Sequence, residues 1–125
     1  MIYGVGVDIL RIGRVEHLLA RHGARFEKRL LHPDERTAYA ARLTPAAYLA
    51  KALAAKEAFG KALGTGISGF AFHDVGVLRE ASGKPRLTFS APLQHRLCAL
   101  GIVRSHLSLS DEPDLVCAMV VLEAE

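Results

Sequence analysis

Apolar residues recur along the chain at two different periods, and the changes of period mark out its elements. "MIYGVGVDIL" alternates, with Ile2, Gly4, Gly6 and Asp8 on one face of a strand and Tyr3, Val5, Val7 and Ile9 on the other. Helical spacing follows from about Val15 to Leu31, and Gly23 predicts a break into two short pieces. "HPDER" reads as a helix start, with Pro33 at its favoured first position and Asp34 and Glu35 in the first turn. "LTPAAYLAKALAAKEAFGKALG" predicts a long central helix with Thr44 as N-cap, Pro45 at N1 and Gly64 just past the last turn.

Beyond it, "FAFHDVGVL" alternates weakly, "ASGKPRLTF" sets a Gly-Lys-Pro turn before a short strand, and "APLQHRLCALG" suits a helix ending at Gly101. A terminal hairpin follows. Val103, Ser105, Leu107 and Leu109 alternate with Arg104, His106, Ser108 and Ser110, "DEPD" turns, and "LVCAMVVLE" is apolar on both faces. These elements predict an α+β fold: one small domain over residues 1–125, with an antiparallel sheet packed against the long central helix and shorter helices. A strand apolar on both faces needs a helix over one of them or another subunit against it.

Two stretches depart from ordinary patterning. Gly4 and Gly6 leave the Asp8 face of the first strand bare, and glycine inside a strand marks close approach by a ligand or another backbone. A dinucleotide fingerprint does not fit, since neither the third glycine nor the helix opening follows. On the central helix, Leu49, Ala52, Leu53, Lys56, Phe59 and Leu63 form one stripe, with Lys51, Ala54, Ala55, Ala58 and Ala62 roughly opposite. The helix is therefore contacted on two sides. Glu57 and Lys61 fall on the edge between, beside the small Ala50 and Ala54, which encloses them more than a free surface would. The plainer alternative is an exposed i,i+4 pair worth a few tenths of a kcal/mol. Lys56 either snorkels or pairs with a buried acid. Gly64, Thr65 and Gly66 follow the helix, whereas the glycines of a P-loop precede one. They still bring backbone close to a ligand, whose phosphates would meet Lys61 or a metal.

Half of the 125 residues are hydrophobic, enough for one modest core. No apolar stretch is long enough to span a bilayer and the N-terminus lacks a signal-peptide layout, so a cytoplasmic protein with no membrane association is expected. Cys98 and Cys117 sit in apolar segments without metal-ligand spacing and read as free, buried thiols. The net charge of +3 is unevenly spread. Arg11, Arg14, Arg21, Arg25, Lys28 and Arg29 face only Glu16 and Glu27 in the same stretch, a patch suited to an acidic partner. His106 stands on the polar face of its strand, and the other histidines show no ligand clustering.

"GVGVDILRIGRVE", "LLHPDER", "AAKEAFGKALGTGI", "GKPRL" and "SHLSLSDEPDLVCAMVVLE" together resemble, in order and spacing, the holo-acyl-carrier-protein synthases of the 4′-phosphopantetheinyl transferase superfamily. The resemblance runs nearly end to end. It implies transfer of the 4′-phosphopantetheine arm of coenzyme A to a serine of apo acyl carrier protein, releasing adenosine 3′,5′-bisphosphate. It implies Mg2+ held by Asp8 and Glu57 against the diphosphate, oxygen ligation such as a small hard cation prefers. Lys61 then lies beside the phosphates, Gly64, Thr65 and Gly66 run along coenzyme A, Lys84 and Pro85 form the turn near the nucleotide, and His106 matches a histidine of the family. The acidic carrier protein would meet Arg14, Arg21 and Arg25. The family assembles as homotrimers with coenzyme A between subunits. The base that takes the serine proton is either Glu35 or a water at the metal, and Glu35 at N3 has an alternative role as a helix cap.

Three positions depart from the family pattern. Ala52 stands where many members have an arginine, and Lys51 points elsewhere on the wheel. His32 replaces the usual Thr or Ser N-cap, a change expected to cost about 1 kcal/mol. Asp111 stands where other members often have histidine. Two other classes compete: a basic module for nucleic acid, which lacks aromatic residues for stacking, and a non-catalytic trimeric scaffold, which leaves Asp8 and Glu57 unexplained. No nucleic-acid partner is expected.

Overall fold

The computed structural model describes all 125 residues. Its strands are β1 (Ile2–Arg11), β2 (Val75–Arg79), β3 (Pro85–Phe89), β4 (Ile102–Glu112) and β5 (Leu115–Ala124). Its helices are α1 (Ile12–His22), α2 (Ala24–Leu30), α3 (Arg36–Ala40), α4 (Pro45–Leu63) and α5 (Ala91–Ala99). The strands form two antiparallel sheets rather than one: β1-β5-β4, and the separate hairpin β2-β3.

β5 lies in the middle of the larger sheet because it is apolar throughout. Val116, Ala118, Val120 and Leu122 are fully buried under α4, while Met119 on the opposite face is exposed. In register, Gly6 opposes Val120 and Asp8 opposes Ala118, so the inner face of β1 also meets α4. The two glycines let the elements touch backbone to backbone. A Cβ at Gly4 would sit 1.9 Å from the Ala62 carbonyl oxygen, and one at Gly6 would sit 1.9 Å from that of Ala58. The close approach read from the sequence is thus to a helix, and the alanines of α4 keep that face low.

Both faces of α4 are occupied. From Leu49 to Leu63 only Lys51, Glu57 and Lys61 are not buried. Pro45 occupies its first turn, Thr44 flanks it without a side-chain cap, and Gly64 ends it in the left-handed region at φ 90°. Lys56 is completely buried and pairs with Glu35, Nζ to Oε1, at 2.6 Å. Lys56 also donates to the Leu30 carbonyl, and Glu35 accepts from His32 N at 2.9 Å and Val77 N at 3.0 Å. One buried pair therefore joins the end of α2, the Pro33–Glu35 turn, α4 and β2. Burial pushes the Lys56 ammonium below its ordinary value, and Glu35 opposes that shift.

Several local expectations are corrected. "HPDER" opens with a 3-10 turn, Pro33–Glu35, before α3 begins. His32 itself caps that turn, its Nδ1 accepting from Asp34 N at 3.0 Å. Gly66–Gly69 and Phe72–Asp74 are also 3-10 turns, so β2 starts only at Val75. Val103 is exposed because a register shift between Ile102 and Arg104 interrupts the alternation. Cys98 is exposed on the short α5 rather than buried, and both thiols are free.

Candidate active site

Beside the β1–α4 contact, two carboxylates from different elements come together. Asp8 projects from the glycine face of β1 and keeps 8% of its side chain exposed; Glu57 projects from the uncovered edge of α4 and keeps 19%. Each has its own cation. Lys61 Nζ lies 3.3 Å from Asp8 Oδ1 and donates to the Val7 carbonyl at 2.8 Å, while Arg14 Nη2 lies 3.6 Å from Glu57 Oε1. The i,i+4 pair within α4 is therefore not the contact Lys61 makes. A neighbouring strand offers it a carboxylate and a carbonyl at once, and Glu57 turns instead to α1.

The electrostatics of the cluster are uneven. Burial raises the Glu57 carboxyl above its ordinary value and the nearby Asp8 adds to this, while Arg14 and Lys61 pull it back. Asp8 Oδ2 is buried and has no hydrogen-bond partner. A buried oxygen without a partner is costly unless something else satisfies it. A second carboxylate beside it is the donor set of a small hard cation such as Mg2+, so Asp8 and Glu57 fit that ion. No group of three or more His, Cys, Asp or Glu gathers anywhere in the molecule to hold a metal. An ion here would complete its shell with water or substrate oxygens.

Gly64, Thr65 and Gly66 begin just past Lys61, at the C-terminal end of α4. The segment folds back on the helix so tightly that a Cβ at Gly60 would lie 2.5 Å from the Gly66 carbonyl oxygen. Lys84 and Pro85 lie elsewhere, in the β2–β3 hairpin. Gly83, beside them, shares a cavity of about 640 Å3 with Thr44 and Tyr48 from the start of α4. At 1.5 Å per residue, Tyr48 and Gly64 are about 24 Å apart along the helix. His106 is on the outward face of β4, across the sheet from β1, where it contacts Glu123. One protomer thus brings Asp8, Glu57, Lys61 and the glycine segment together, and leaves Lys84, Pro85 and His106 apart from them.

The sequence reading missed the chemistry of that second cavity. Arg42, Lys51, Arg79 and Arg86 line it, Ala52 forms part of its wall, and its one acid, Glu35, is already paired with Lys56. It is positive and suited to phosphate. Lys51 does reach it, contrary to the wheel, and is held 3.6 Å from Asp111. The signal in the sequence was the arginine of "GKPRL", which the hairpin aligns opposite Leu78, next to Arg79. Glu35 is an unfit base in this arrangement. It is fully buried, Oε1 is shared by Lys56 and His32 N, and Oε2 is taken by Val77 N. Arg14 and Arg21, seven residues apart, share one face of α1, and the break at Gly23 puts Arg25 on α2.

Residues 4–120 match the family model of the 4′-phosphopantetheinyl transferase superfamily. A holo-[acyl-carrier-protein] synthase of Nitrosospira multiformis is 45% identical over 124 residues, covering 98% of this chain and 99% of that one. The crystal structure of the holo-[acyl-carrier-protein] synthase of Neisseria meningitidis superposes with a TM-score of 0.95 at 44% identity, covering 98% of this chain and 99% of the other. A synthase of Bacillus anthracis, solved in complex with CoA (3′,5′-ADP), superposes with a TM-score of 0.84 at 34% identity over 100% of this chain and 99% of that one. Matched in sequence and in fold along nearly its full length, the chain belongs to the holo-acyl-carrier-protein synthases of the 4′-phosphopantetheinyl transferase superfamily.

Proposed function

We propose that the protein transfers 4′-phosphopantetheine from coenzyme A to a serine of apo acyl carrier protein, leaving adenosine 3′,5′-bisphosphate. The observation that carries this reading is the Asp8–Glu57 pair with its partnerless buried oxygen, flanked by Lys61 and the Gly64–Gly66 backbone. Asp8 and Glu57 would hold Mg2+, which supplies charge neutralisation at the diphosphate being cleaved. Lys61 is placed to exchange Asp8 for a phosphate oxygen, because its stem leaves the same edge of α4 and 54% of its side chain is open to solvent. There it stabilises the charge that develops on the departing phosphate. The Gly64, Thr65 and Gly66 backbone would border the pantetheine arm.

The separation of the remaining residues supports a site shared between chains. The Arg42, Arg79 and Arg86 cavity, with Lys84 and Pro85 beside it, suits the nucleotide end of coenzyme A, and it lies about 24 Å along α4 from the glycine segment. Coenzyme A bound at the carboxylates of one protomer would reach this cavity on a neighbour, with His106 near the junction. The outward face of β1 and β5 suits such an assembly: Tyr3, Val5, Val7, Ile9 and Met119 are 40–64% exposed and contiguous in register. A homotrimer closed on that face covers them. Arg14, Arg21 and Arg25 would meet the acidic carrier protein. No helix is long and apolar enough to cross a membrane, and the cytoplasm is the compartment we propose.

Mass spectrometry of an apo carrier protein incubated with this protein, coenzyme A and Mg2+ tests the reading. The phosphopantetheine mass increment on the carrier is expected. An unmodified carrier, with a known synthase active in parallel, would overturn it.

A further inference from the structure

Arg14 has two claims on it. It belongs to the cationic face of α1, with Arg21 seven residues on, yet its guanidinium is turned to Glu57, the carboxylate proposed for the metal. Asp8, Glu57, Lys61 and Arg14 form a quartet of zero net charge: each acid holds one cation, and each pair joins two different elements. A divalent ion taken up by both acids would release both cations at once. Lys61, rooted on α4 beside the proposed diphosphate position, then has a phosphate to meet. Arg14 stands on α1, with 57% of its side chain exposed, where a macromolecule docked over the carboxylate pair can reach it.

We propose that Arg14 is a positioning residue that exchanges partners: it rests on Glu57 in the free enzyme and turns to a carboxylate of the carrier protein once Mg2+ and coenzyme A are bound. This rests on the function proposed above. The consequence is a coupling between two ligands that need not touch. Until Glu57 is engaged elsewhere, docking the carrier on Arg14 costs one ion pair, and afterwards it costs none. By linkage the effect is mutual, so the carrier tightens the binding of Mg2+ and coenzyme A by the same factor. Because Arg14 is more than half exposed, water and salt screen the contact, and the coupling is limited to about three- to fivefold.

The test measures carrier binding rather than turnover. Calorimetry would use a carrier protein whose acceptor serine is replaced by alanine, with and without Mg2+ and coenzyme A at low salt. The wild-type protein is expected to bind it about three- to fivefold more tightly with both ligands present. Glu57→Gln, which releases Arg14 permanently, is expected to bind the carrier without ligands as tightly as the wild type does with them. Arg14→Ala is expected to bind weakly and with no dependence on ligands. Arg21→Ala serves as the control, since it weakens docking but leaves the ligand-dependent ratio intact. The inference fails if Arg14→Ala keeps the wild-type ratio, or if Glu57→Gln binds the carrier no more tightly than ligand-free wild type. Absence of any carrier binding by the wild type would instead sink the proposed function.

Discussion

A Cβ placed on Gly6 would lie 1.9 Å from the carbonyl oxygen of Ala58, a separation that no rotamer change can relieve because the obstacle is backbone. The contact sets the distance between β1 and α4, and with it the distance between Asp8 and Glu57, which those elements carry. Gly6→Ala is expected to cost about 1–3 kcal/mol or more as the strand and helix are forced apart. It should also lower kcat/KM for transfer more than the loss of folded protein explains. Urea denaturation and the carrier assay measure the two effects. Ala58→Gly should rescue neither, since it leaves the carbonyl in place.

That contact also shows which parts of the molecule its sequence discloses. Period-two alternation in β1 and, past the register shift at Ile102–Arg104, in β4, the apolar stripe of α4 between Pro45 and Gly64, and the break at Gly23 are local properties, and these stand in the structure. The partners of those elements are not local. Alternation showed that one face of β1 was bare but not that a helix backbone fills the space. Lys56 was visibly out of place in an apolar stripe, but its partner Glu35 is 21 residues away and only the path through α2 and the 3-10 turn brings them together. Arg14 and Glu57 are likewise joined by the fold alone. The Asp8–Glu57 pairing was reached through family resemblance, because nothing in the spacing of the two acids requires it.

The Lys56–Glu35 pair should behave as one unit. Lys56→Met leaves a carboxylate buried without its counter-charge and is expected to cost about 3–5 kcal/mol. Lys56→Met combined with Glu35→Gln removes both charges and keeps one side-chain oxygen as an acceptor for His32 N or Val77 N. Its cost should therefore fall below the sum of the two single substitutions in a urea-denaturation cycle. Strict additivity would show that the two residues act independently.

Stability of the metal-free protein should depend on pH through Glu57. Its carboxyl is held above the ordinary value of 4.5, chiefly by burial and then by Asp8. A group with a raised folded-state value contributes stability that is full below the unfolded value. That contribution is lost as pH rises through the folded value. Glu57→Gln mimics the protonated form, so it is expected to raise Tm at neutral pH without metal and to leave Tm unchanged at pH about 4 and below. Thermal scans in chelator check this. A variant less stable than the wild type at pH 7 would mean that the Arg14 contact outweighs burial and Asp8.

Assembly can be tested on the outward face of the sheet. Val7 and Met119 face each other across β1 and β5 and are 49% and 42% exposed. Val7→Glu points away from α4 and should leave the chain folded while placing charge in the subunit contact. Light scattering is expected to give three times the 13.5 kDa chain mass for the wild type and a smaller species for the variant. Transfer should fall at least about tenfold, roughly 1.4 kcal/mol, if the nucleotide end sits on a neighbour. A wild-type chain that is monomeric and fully active would rule out both the trimer and the shared site.

Asp8 and Glu57 are proposed to serve one ion, and two ligands of one ion cannot be lost twice. Asp8→Ala and Glu57→Ala should each lower kcat/KM by at least about a hundredfold, near 2.7 kcal/mol of transition-state stabilisation. The double substitution should be little worse than the more damaged single, because the first loss already removes most of what the ion contributes. Independent roles predict the product of the two effects instead. Folding should survive both changes. Asp8→Ala removes an oxygen that is buried without a partner, and Glu57→Ala removes a carboxyl whose charged form burial already disfavours. The Mg2+ dependence of the rate then separates the remaining possibilities. If Glu57→Ala still transfers at near wild-type rate with the same Mg2+ requirement, Glu57 does no more than hold Arg14, and Asp8 must bind the ion without it.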